Sequence, residues 1–122
     1  MTRWRPTITR RAQGSGPLVT VPARPGQHLV HVLRLPGGAC PVSGNPIAAL
    51  LCISYTSDGH ALEVVSLRAH VLAVWAAPPP GSESVEGFAA TLAADIAAVV
   101  PIDCVTLAAL VRPGPQLLIV RA

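Results

Sequence analysis

The sequence predicts an α+β domain: an antiparallel sheet with two helices on one face. Two observations carry this. Patterned segments follow in the order strands, two helices, two strands, with Pro or Gly at most of their boundaries. Over half of the 122 residues are hydrophobic and only 12% are charged, enough apolar material for one core.

Taken in order, residues 1–17 read as a flexible Arg-rich arm, and residues 18–122 as a single domain. Leu18–Val21 is a short expected strand closed by Pro22. His28–Leu35 is β-branched and partly alternating, and it ends at Pro36-Gly37-Gly38. Residues 37–46 are too rich in Gly and Pro for a regular element, which makes them a loop with Cys40 inside it. Ile47–Tyr55 is the next apolar strand. Asp58-Gly59 is a hairpin signal, so His60–Val64 is expected to fold back on that strand.

Ser66 is the expected cap of a first helix. Leu67, His70, Val71, Val74 and Trp75 fall on one face of it, and Pro78-Pro79-Pro80 stops it. A second helix opens around Ser82-Glu83-Ser84, places Val85, Phe88, Leu92, Ile96 and Val99 at helical spacing, and ends before Pro101. Cys104–Val111 and Gln116–Val120 are the closing strands.

So apolar a small chain is expected to bury surface against copies of itself, as a homo-oligomer. Its longest apolar runs are broken well short of the roughly 20 residues of a membrane span. With no apolar run following the Arg-rich N-terminus, the expectation is a soluble cytoplasmic protein with no membrane partner. All nine basic residues are Arg, yet the net charge is only +3. Arg3, Arg5, Arg10 and Arg11 are read as a solvated tail rather than a nucleic-acid contact.

Three cysteines without zinc-type spacing argue against a disulfide framework or a Cys-rich metal site. The four histidines suggest no metal site either; His28 and His31, three apart on a strand, point to opposite faces. Cys52 and Cys104 lie within apolar strands and read as core. Cys40 differs because its loop makes the thiol accessible. A reactive thiolate and a small tolerated loop residue are equally open from spacing alone. His28, His31 and Arg34, on the preceding strand, are its candidate neighbours. Glu63 and Glu86 are flanked by apolar residues, and a carboxylate there matches the paired N–H donors of a guanine- or pterin-like ring. Taken alone, the residues favour an ordinary strand-end role for Glu63 and a helix-start role for Glu86.

Cys40-Pro41-Val42-Ser43-Gly44-Asn45-Pro46 resembles the nucleophile loop C-P-x-T-G-Q-P-D of the nitrile reductases of queuosine biosynthesis (QueF). Ile53-Ser54-Tyr55 and Glu63-Val64-Val65-Ser66-Leu67-Arg68 are similar to that family's I-x-Y strand and E-S-K-S-L-K segment, in the same order. The resemblance implies the tunnelling fold (T-fold), whose subunits join their sheets into a barrel with helices outside and sites between subunits. It implies a small heterocyclic substrate, a deazapurine, purine or pterin. Cys40 becomes the catalytic nucleophile that forms a thioimide on a nitrile, Glu86 the ring anchor, and Glu63 and Ser66 further substrate-binding residues. Three departures accompany it. Ile47 replaces the proton-donating aspartate, Val65 the lysine associated with NADPH, and Val85 the histidine of the F-H-E motif. Apolar side chains there argue for an enzyme that keeps the thiol capture and works without NADPH or another cofactor. The alternatives are an NADPH-dependent 7-cyano-7-deazaguanine reductase and a non-catalytic binding or assembly subunit.

Overall fold

In a computed structural model of the chain, residues 7–11, 17–39, 46–111 and 114–121 are described. The strands are β1 (Thr7–Arg11), β2 (Pro17–Pro22), β3 (His28–Ala39), β4 (Pro46–Thr56), β5 (His60–Leu62), β6 (Cys104–Val111) and β7 (Gly114–Arg121). Helices α1 (Val64–Ala76) and α2 (Val85–Ala97) stand between β5 and β6. All strand pairs are antiparallel, in a sheet ordered β3-β4-β6-β7 and a smaller one ordered β1-β2-β5. The α+β class and the two helices packed on a sheet face agree with the sequence pattern.

Strand alternation decides which face is covered. Leu33 and Leu35 of β3, Leu51, Ile53 and Tyr55 of β4, and Val105 and Leu107 of β6 are buried. They meet Leu67, Val71 and Val74 of α1 and Phe88, Leu92 and Ile96 of α2 in one core cluster. Each fully buried Leu or Ile contributes on the order of 1.5–3 kcal/mol. The intervening residues point away from the helices and leave Val30, Val32, Leu50, Leu117 and Ile119 exposed.

The Asp58-Gly59 turn does not make the expected hairpin. β5 pairs with β2 (Val21↔Ala61), not with β4. The pairing that organises this region is one long ribbon closed by residues 40–45. β3 lies against β4 from Ala39↔Pro46 to His28↔Thr56, and β2 lies against β5 beyond it. Between them both arms bend together, held by Gly26 N–H to Ser57 O (2.7 Å), Ser57 N–H to Gln27 O (2.7 Å) and Ala23 N–H to Gly59 O (2.9 Å). Gly59 supplies φ +116°, and the Ser57 hydroxyl accepts from Gly59 N–H while donating to His60 O. The turn therefore carries the chain from one sheet into the other.

Three further differences have local causes. Within the segment read as an arm, Thr7–Arg11 forms β1 and pairs with β2. β3 does not stop at Pro36 but continues to Ala39 through a register shift between Leu35 and Gly38. An edge strand tolerates the missing proline N–H, and Trp75 Nε1–H donates to the Pro36 carbonyl at 3.0 Å. Finally, α1 begins at Val64 with Glu63 as its cap, ahead of the expected start at Leu67.

Candidate functional site

The sequence-predicted residues divide between the two ends of the bent ribbon, which runs through both sheets. At one end, Ala39↔Pro46 closes the β3–β4 ladder, so the six residues 40–45 connect these strands. Cys40, the expected nucleophile, lies outside the described residues. Glu86 belongs to the same end. Trp75, at the C-terminus of α1, reaches Pro36 and meets Phe88 edge-on with ring centroids 5.0 Å apart. Glu86 is half a turn before Phe88, exposed, in the first turn of α2, where a carboxylate suits the helix dipole. The start of α2 is fixed by the Ser84 hydroxyl, which accepts from Gly87 N–H at 3.0 Å. Gly87 has no room for a side chain, because a Cβ there would lie 2.7 Å from Gly81 O.

Glu63 and Ser66 sit together at the other end, and their polar atoms are engaged in structure. The Glu63 carboxylate accepts from the N–H groups of Val65 and Ser66. The Ser66 hydroxyl donates to Glu63 O at 3.2 Å and accepts from Val19 N–H at 3.1 Å. Glu63 is therefore the N-cap of α1, and Ser66 ties back to its carbonyl while holding β2 through Val19. Replacing Glu63 with Ala should lower stability by about 1 kcal/mol, with Glu63→Asp retaining most of it; urea unfolding reads both. Equal stability of all three proteins would remove Glu63 from the cap role.

His28 and His31 stand toward this second end of β3, eleven and eight positions before Ala39 by numbering, roughly 26 Å or more from the Cys40 loop at ~3.3 Å per residue. Arg34 is nearer to the loop and exposed on the outer face. His31 instead belongs to a half-buried relay. The Tyr55 hydroxyl, on a fully buried ring, accepts from Leu62 N–H at 2.7 Å and is 2.9 Å from His31 Nε2. The two rings stack at 5.6 Å. Burial lowers the His31 pKa below 6.5; with the Tyr55 oxygen accepting from Leu62, the tautomer of His31 with its proton on Nδ1 matches the phenolic O–H as donor to Nε2. Burial also raises the Tyr55 pKa above 10, against a smaller opposing effect of the Leu62 N–H.

Sequence reasoning missed two arrangements. His70 Nε2 lies 2.9 Å from Asp95 Oδ2, with side chains 1% and 6% exposed, so the pair is sealed between the helices. His70 Nδ1 is buried without a hydrogen-bond partner among the described residues. The available signal was Asp95 one position before Ile96, turned toward an apolar helix face carrying His70. The second concerns Cys52 and Cys104, which are free thiols, half-exposed on the sheet face away from the helices rather than in the core. Their phase with Ser54 and Thr106, two residues along each strand, was the sign.

Among the described residues no group of three or more His, Cys, Asp or Glu is placed to hold a metal ion, and no helix is long and apolar enough to cross a membrane. Compared with known proteins, the chain matches no protein-family model and no curated protein.

Proposed function

We propose that this chain is a QueF-like T-fold subunit that binds a deazapurine-, purine- or pterin-like ring between subunits and captures an electrophilic carbon on Cys40. One observation carries the reading: the resembling loop joins two long strands at the sheet end that also holds exposed Glu86. Two others support it. The helix pair between sheet hairpins, with one sheet face uncovered, is the architecture the resemblance implies. Glu63 and Ser66 lie beside the smaller sheet, beyond the end of β3 and β4 opposite the 40–45 connection, so a second copy would be what brings their segment to a Cys40 loop, as a site between subunits requires.

The chemistry is an addition. The Cys40 thiolate sulfur forms a bond to the nitrile carbon, one π pair moves to nitrogen, and nitrogen takes a proton, giving a thioimide. Water or an amine then attacks that carbon and the thiolate leaves. With Val65 in place of lysine and Glu63 and Ser66 engaged in the α1 cap, the segment that the resemblance associates with NADPH has its polar groups committed to the helix start, which favours a reaction other than hydride transfer.

Intact-mass spectrometry after mixing with 7-cyano-7-deazaguanine tests this. The expected result is a gain equal to the nitrile's mass, absent in Cys40→Ala. An unchanged mass with a Cys40 that still reacts with iodoacetamide overturns the proposal.

A further inference from the structure

The uncovered face of the large sheet carries two thiols on neighbouring strands. The β4–β6 register pairs Cys52 with Thr106 and Ser54 with Cys104, so the cysteines are diagonal neighbours on one face. Such positions lie ~7 Å apart, beyond the ~4.5 Å Cβ separation that a disulfide bridges. The Cys104 sulfur is 3.3 Å from Ser54 Oγ and 3.8 Å from Thr106 Oγ1. It thus leans along β6 toward the row that holds Cys52, with two hydroxyls able to donate to it.

From this we propose that Cys52 and Cys104 form a two-thiolate site for a monovalent soft metal ion, copper(I) being the fitting class. Bridging by a metal needs sulfurs only ~4.6 Å apart at the ~2.3 Å bond length typical of thiolate–metal contacts, a gap that rotation of the two side chains from diagonal positions can close. Thiolates select copper(I), whereas zinc asks for four ligands, and no third His, Cys, Asp or Glu joins these two among the described residues. Two thiols and one Cu⁺ give a complex of charge −1 and release two protons, with no change of oxidation state. Arg121 stands directly across from Cys104 on β7 and supplies the opposite charge. Val32 stands across from Cys52, and Val30 and Ile119 pair with Ser54 and Thr106, so apolar side chains flank the pair on this face.

The test uses Cys40→Ser protein, in which Cys52 and Cys104 are the two remaining thiols, titrated anaerobically with copper(I) against a chromogenic copper(I) chelator. One ion per chain, held with two sulfur scatterers by X-ray absorption, is the expected result. Cys52→Ser and Cys104→Ser should each weaken binding at least a hundredfold. Both side chains are only partly buried, and circular dichroism is used to check that the variants stay folded. Failure to compete with the chelator, one sulfur at the metal, or undiminished binding in either folded variant overturns the proposal.

Discussion

Asp95→Ala should destabilise the protein by about 3 kcal/mol, read as a lower urea midpoint at unchanged slope. Asp95 and His70 are both nearly sealed from water, and their 2.9 Å contact joins α1 to α2. Removing the carboxylate leaves the imidazole with both nitrogens unpartnered in an apolar setting, since Nδ1 already has no partner among the described residues. Replacing both residues by Leu is expected to restore most of the loss, because a buried polar pair contributes little beyond what apolar packing of similar size supplies. A loss below about 1 kcal/mol in Asp95→Ala would mean that the pair does not hold the helices together.

Tyr55→Phe should cost about 2 kcal/mol. The ring stays, so packing is preserved, but the Leu62 N–H loses its acceptor and His31 Nε2 its donor. The same relay sets a pH dependence. The folded His31 pKa lies below 6.5, so in the window beneath that value the unfolded chain binds more protons than the folded one. The contribution from His31 is complete above 6.5 and fades as pH falls through the folded pKa. For Tyr55 the shift is upward. Its contribution is complete below 10 and fades as pH rises through the folded pKa. Melting temperatures from pH 8 to pH 5 should fall less steeply in His31→Gln than in the unaltered protein; parallel curves would contradict the assignment.

Particular residues show why some of this was legible and some not. Leu67, His70, Val71 and Val74 were read as one buried face because a helix repeats its contacts every three or four residues, and burial follows that period. The start of α1 was misread because β-branched Val64 and Val65, both exposed, resemble strand, while Glu63 stands at the cap in place of the usual Ser, Thr, Asp or Asn. The destination of β5 was hidden because a turn signal reports that the chain bends, not which strand receives it. Cys52 was assigned to the core because an apolar run hides its phase; only Ser54, two residues on, marks the outward side. The His70–Asp95 contact spans 25 positions, a distance over which neither periodicity nor spacing speaks. For the candidate site, the sequence marked Glu86 at the start of a helix, where it lies, but not that Glu63 and Ser66 cap α1 beside the smaller sheet, away from the end of β3 and β4 that the 40–45 connection joins.

The bent ribbon also orders events during folding. Its closure joins residues only a few positions apart, and each further pair zips onto the last, so little chain entropy is lost at any step. Docking β6 on β4 is different, since Ser54 meets Cys104 across 50 positions. That meeting becomes affordable once α1 and α2 have folded the intervening chain back along the ribbon. The bend itself delivers Leu62 to Tyr55 before either helix is needed, so the junction of the two sheets can form from local contacts and wait for the rest.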